Sequence, residues 1–123
     1  MFNIMVIDDD EDLLEMICYG LRAQGFKVTC LRDDYNITNA IEEYKPEVLI
    51  LDIYLENQDG RDICKELKLN DKYRNLPIIL YSAGNISDES VRDCSADYFL
   101  SKPFDISNLS KKIKELKNLK SIN

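Results

Sequence analysis

The chain contains no histidine. That absence removes Ser-His nucleophile pairs, histidine-ligated zinc and any role as a phosphohistidine carrier, so chemistry must rest on carboxylates, lysine, hydroxyls and backbone. Cationic side chains are in deficit: 16 Lys and Arg stand against 23 Asp and Glu, a formal net charge of −7. Such a balance does not suit gripping nucleic acid through phosphate neutralisation, and fits a cationic partner or a metal better. No apolar run reaches the roughly 18 residues of a membrane span, and Met1-Phe2-Asn3-Ile4 is not a basic segment leading into a long apolar stretch. A cytoplasmic protein without membrane insertion is expected. Glycine and proline are sparse, at four and three, and no repeat, linker or low-complexity tract interrupts the chain. Its 123 residues suffice for a single domain, 1–123, with one layered core. Cys18, Cys30, Cys64 and Cys94 match neither paired metal-ligand spacing nor a C-x-x-C motif, and are expected to be small core hydrophobes.

What is present alternates. Phe2 to Ile7 is an apolar run that stops at Asp8-Asp9-Asp10-Glu11-Asp12, a buried strand ending where charge begins. Leu13, Leu14, Ile17, Cys18 and Leu21 follow at helical spacing, with Gly25 placed as a C-terminal cap. Asp10, Glu11 and Asp12 suit the positive end of that helix. The same alternation predicts a strand over Phe26 to Leu31, a helix from Ile37 to Tyr44 stopped before Pro46, and a strand over Val48 to Leu51 ending at Asp52. Next come a helix from Gly60 to Leu69, a strand over Ile78 to Tyr81, a short helix from Ser87 through Cys94 and a strand over Tyr98 to Ser101. The last helix carries Ile106, Leu109, Ile113 and Leu116 on one face and lysines around the rest. Five strands alternating with five helices predict a doubly wound α/β fold with a parallel sheet covered on both faces.

Ligands in such folds bind beyond the carboxyl ends of the strands. Those ends carry Asp8 and Asp9, Asp52, Ser82 and Lys102. Carboxylates gathered together repel unless a divalent cation neutralises them, and oxygen-only ligands favour Mg²⁺. A lysine and a small hydroxyl opposite them suit an arriving phosphoryl group, with Asp52 as nucleophile and an acyl phosphate as product. Each residue has a plainer reading as well: Asp52 or Ser82 as turn residues, Lys102 as a solvated side chain, Phe99 as a core aromatic. The combination favours the chemical reading of Asp8, Asp9, Asp52, Ser82 and Lys102.

The segments Met5-Val6-Ile7-Asp8-Asp9-Asp10, Val48-Leu49-Ile50-Leu51-Asp52-Ile53 with Asp59-Gly60, Pro77-Ile78-Ile79-Leu80-Tyr81-Ser82-Ala83 and Ala96-Asp97-Tyr98-Phe99-Leu100-Ser101-Lys102-Pro103-Phe104 resemble the receiver family of two-component systems. They occur in the family's order and cover essentially the whole chain. The resemblance implies a flavodoxin-like sheet with strand order 2-1-3-4-5. It implies a phosphorelay receiver phosphorylated on Asp52 with Mg²⁺, a signalling module that catalyses only its own phosphoryl transfer and hydrolysis. Asp9 would be a direct metal ligand, Asp8 would act partly through water, and Asp52 and the backbone carbonyl of Tyr54 would complete the set. Ser82 and Lys102 would contact the phosphoryl oxygens, Ser82 and Phe99 would form the switch, and Lys102–Pro103 would be a cis bond. The partners implied are a sensor histidine kinase or phosphotransfer protein and a downstream protein target, with no direct nucleic-acid contact. With no residues beyond the last helix for an output domain, the signal is expected to pass by protein contact.

Three departures from the family pattern stand out. Glu56 occupies the usual proline position after the acceptor, Ser95 the usual glycine before the alanine, and the stretch from Ser82 to Lys102 is shorter than in common relatives. Two rival readings remain. One is a receiver-fold binding module that works without phosphorylation. The other is a haloacid-dehalogenase-like phosphatase with Asp8 of the Asp8-x-Asp10 motif as nucleophile, though Asp12 stands where that motif prefers Thr or Val. A flavodoxin-like flavin site fails for want of a phosphate loop after the first strand.

Overall fold

The computed structural model describes residues 2–32, 36–82, 93–101 and 105–122. Strand β1 (Asn3–Ile7) is followed by α1 (Glu11–Ala23), β2 (Lys27–Leu31), α2 (Ile37–Tyr44), β3 (Val48–Asp52), α3 (Gly60–Leu69), β4 (Ile78–Ser82), β5 (Tyr98–Ser101) and α4 (Ile106–Ile122). All strand pairs are parallel, in the order β2-β1-β3-β4-β5. This is the flavodoxin-like topology expected. Four helices lie among the described residues; the helix predicted from Ser87 falls outside them except for Asp93 and Cys94, of which Asp93 is helical.

The near-continuous apolar strands follow from burial on both faces. Ile4, Val6, Val48, Ile50, Ile79 and Tyr81 pack under α1 and α4, while Met5, Ile7, Leu49, Leu51, Ile78 and Leu80 pack under α2 and α3. Each large side chain so buried contributes about 1.5–3 kcal/mol.

Helix starts and stops are chemically marked. Asp10 caps α1 by accepting from the Leu13 N–H, and Glu11 and Asp12 occupy the first turn. At the other end Phe26 N–H donates to Leu21 O and Gly25 N–H to Arg22 O, a Schellman closure. Gly25 supplies the left-handed backbone it needs, with φ 95. Helix α2 stops at Lys45, whose backbone turns left-handed ahead of Pro46.

The cysteine expectation holds only in part. Cys64 and Cys94 are buried free thiols, and Cys64 Sγ donates to the Cys94 carbonyl at 3.4 Å. Cys18 and Cys30 are instead joined as a disulfide. Sequence spacing hid this pairing because α1 folds back over β2, placing residue 18 of the helix above residue 30 of the edge strand.

Candidate functional site

Register builds the site at the carboxyl end of the sheet. Ile7 pairs with Leu51 and Asp52 with Tyr81, so Asp8 and Asp52 leave neighbouring strands side by side. Ser82 pairs with Ser101, which brings the end of β5 alongside β4. Parallel strands about 4.8 Å apart therefore bring these polar residues to one rim.

Asp8 is wholly buried, at 0% exposure, and Asp52 nearly so at 6%. Asp8 Oδ1 accepts from the Asp10 N–H at 2.8 Å, and its Oδ2 accepts from the Tyr81 hydroxyl. Asp52 Oδ1 accepts from the Tyr54 N–H at 3.2 Å. Asp9 is only partly buried and reaches across to the loop after β3, where its Oδ2 accepts from the Glu56 N–H. Tyr54 itself is exposed at 54%, and its backbone bridges to Asp59. Ser82 is buried at 0% on the α2–α3 side of β4, and Phe99 packs partly buried against the same cluster. Lys102 and the Lys102–Pro103 bond lie outside the described residues.

The loop carrying Tyr54 and Glu56 is held by the start of α3. Asp59 caps that helix through the Arg61 N–H at 2.8 Å and pairs with the Arg61 guanidinium at 2.6 Å. The guanidinium hydrogen bond holds the Asp59 carboxyl below the usual carboxylate range, against the opposing effect of burial. Gly60 N–H donates to Ile53 O at 2.7 Å, and a Cβ at Gly60 would overlap the Asp52 carbonyl oxygen and lie 3.0 Å from Ile53 Cα. Helix α3 can thus abut the backbone of Asp52 only because residue 60 has no side chain.

The donor set fits a hard divalent cation by its chemistry: Asp8, Asp9 and Asp52 offer carboxylate oxygens alone, on adjoining strand ends, two of them removed from bulk water. Among the described residues no three such side chains already converge into a cage. Asp9, turned to the Glu56 N–H, is the ligand most in need of re-aiming.

A family model for the response regulator receiver domain matches residues 4–114. The chain belongs to that family. Its receiver fold is also that of solved structures. A putative response regulator from Chloroflexus aurantiacus is 28% identical, with 94% of this chain and 96% of that one covered at a TM-score of 0.86. A CheY-like receiver domain protein from Methanospirillum hungatei is 21% identical over 100% and 99%, at 0.87. A two-component response regulator from Clostridium difficile is 22% identical over 96% and 97%, at 0.85. Receiver domains are signalling modules of two-component systems rather than conventional enzymes. Among the described residues of this receiver no helix is long and apolar enough to cross a membrane.

Sequence reasoning missed one member of the site. Tyr81 reads as the apolar end of a buried strand, yet its hydroxyl reaches Asp8 across β3. A fully buried tyrosine must find a partner for that hydroxyl, and this was the available signal.

Proposed function

We propose that this receiver is phosphorylated on Asp52 and signals by protein–protein contact in the cytoplasm. The observation that carries the reading is the burial of the Asp52 carboxylate at the end of the central strand, directly beside the buried Asp8. Two such anions are costly to fold together unless the site uses them.

Asp8, Asp9, Asp52 and the Tyr54 carbonyl would hold Mg²⁺. When bound, the ion supplies positive charge for the phosphoryl oxygens. An Asp52 carboxylate oxygen attacks phosphorus in line; the new O–P bond forms as the P–N bond of a kinase or phosphotransfer histidine breaks. Ser82 and Lys102 then receive the phosphoryl oxygens, by hydrogen bond and charge. Ser82 and Phe99 lie on the same side of the sheet, so a shift of Ser82 towards the phosphoryl group opens space for the Phe99 ring and biases a two-state surface read by a downstream protein. Later hydrolysis of the acyl phosphate, at the same residues, resets the domain.

Asp8 is a poor nucleophile by comparison, since it is wholly buried. Intact-mass analysis after incubation with acetyl phosphate and Mg²⁺ tests the reading. One added phosphoryl group that vanishes in Asp52→Asn and without metal is expected. Unmodified but folded wild-type protein would shift the assignment to a phosphorylation-independent binding module, and modification surviving in Asp52→Asn but lost in Asp8→Asn would move the nucleophile.

A further inference from the structure

Tyr81 has no part in the chemistry set out above, yet it stands at the centre of the site. It is the register partner of Asp52 and the chain neighbour of Ser82. Its ring is fully buried among Val6, Ile50 and Ile79 on the side of α1 and α4, and its hydroxyl crosses β3 to donate to Asp8 Oδ2. Packing alone would be met by phenylalanine, so the oxygen needs another account.

With the Asp10 N–H on Oδ1 and the Tyr81 hydroxyl on Oδ2, the Asp8 carboxylate has a donor on each oxygen, one from the following turn and one from the far side of β3. Two bonds from opposite directions fix both the position and the plane of the group. Each carboxylate oxygen keeps further lone-pair capacity, so the arrangement does not block a ligand.

We infer that Tyr81 is a positioning residue that holds the Asp8 carboxylate in a fixed orientation for the divalent cation. The inference rests on the reading of the acidic cluster as a metal site. Groups that orient a metal ligand from behind are commonly worth about 10- to 100-fold in metal affinity. The hydroxyl of β4 also ties the acidic pair after β1 to the strand that carries Ser82, so cation affinity and the state of β4 are linked through one bond.

The test compares wild type with Tyr81→Phe, which keeps the ring and removes only the oxygen. Mn²⁺ titrated into each, followed by water-proton relaxation, should bind Tyr81→Phe about 10-fold more weakly. The Mg²⁺ concentration for half-maximal labelling by acetyl phosphate should rise by a similar factor, while the rate at saturating Mg²⁺ returns to that of wild type. In metal-free protein the Asp10 amide resonance should move as Asp8 loses its second anchor. A folded Tyr81→Phe that binds Mn²⁺ as tightly as wild type overturns the inference and leaves the metal site standing. Wild-type protein that binds no Mn²⁺ overturns both. Should Tyr81→Phe fail to fold, wild type labelled with ¹³Cζ-tyrosine carries the test: saturating Mg²⁺ must shift the Tyr81 resonance, and an unmoved resonance overturns the inference.

Discussion

At the amino-terminal end of the sheet, Lys68 from α3 donates to Asp97 at 2.7 Å and to Leu76 O at 2.8 Å, while Asp97 accepts from Ile78 N–H at 2.7 Å. At the carboxyl end, Asp8 and Asp52 lie buried side by side, and the Tyr81 hydroxyl donates to Asp8. Both ends gather charge, at an exposed Asp97 on one side and at Asp8 and Asp52 out of water on the other. One end closes an anion on a cation and on backbone, which locks α3, β4 and β5 together; the other brings carboxylates to one rim, where the Asp10, Tyr54 and Glu56 N–H groups and the Tyr81 hydroxyl donate to them. The difference separates charge used for folding from charge kept for chemistry.

The comparison breaks most sharply at Gly60, where a methyl group would overlap the Asp52 backbone. Gly60→Ala should cost about 3 kcal/mol, the upper part of the range for overpacking a closed site. It should also slow phosphorylation of the folded fraction, a denaturant titration giving the first effect and acetyl-phosphate labelling the second. Lys68→Met tests the opposite end. Chemical denaturation should show a loss of about 2 kcal/mol, as for a hydrogen-bonded charge pair, with the labelling rate of folded protein unchanged. A slowed rate there would mean that the two ends are coupled.

Asp59 sharpens the contrast through pH. Its carboxyl is held low in the folded state, mainly by the Arg61 guanidinium. As pH falls the unfolded chain takes up this proton first, so the contribution is complete above the ordinary carboxylate range and is lost as pH drops through the folded value. Asp59→Ala should therefore cost about 1 kcal/mol at neutral pH, where the cap and pair are lost, and flatten the acid limb of a stability–pH curve. The smallest effect is expected at Ser95, which precedes β5 with a left-handed backbone at φ 64. Ser95→Gly should raise stability by up to about 1 kcal/mol, read as a higher thermal midpoint with unchanged labelling.

These cases also mark what the sequence makes legible. Helix α2 and strand β5 fall within the bounds read from local pattern, because apolar spacing, Pro46 and the flanking polar residues act over a few positions. Asp8, Asp52 and Ser82 arrive together because strand order and register carry the ends of apolar runs to one rim. Ser95 departs from the glycine that the resemblance implies, and its positive φ is the physical reason a glycine suits that position. Contacts without a local trace were not legible: Tyr81 and Asp8 are 73 residues apart, Lys68 and Asp97 are 29. Cys18 and Cys30 meet only once α1 lies on β2.

The bond from the Glu56 N–H to Asp9 has a consequence for how this chain can drift. Its donor is main chain, so the glutamate side chain is incidental and nearly any replacement would preserve the tie. Proline, which has no N–H, is the one residue that severs it. Position 56 thus ties the loop after β3 to Asp9 through main chain alone, and Glu56→Pro is the substitution that unties it.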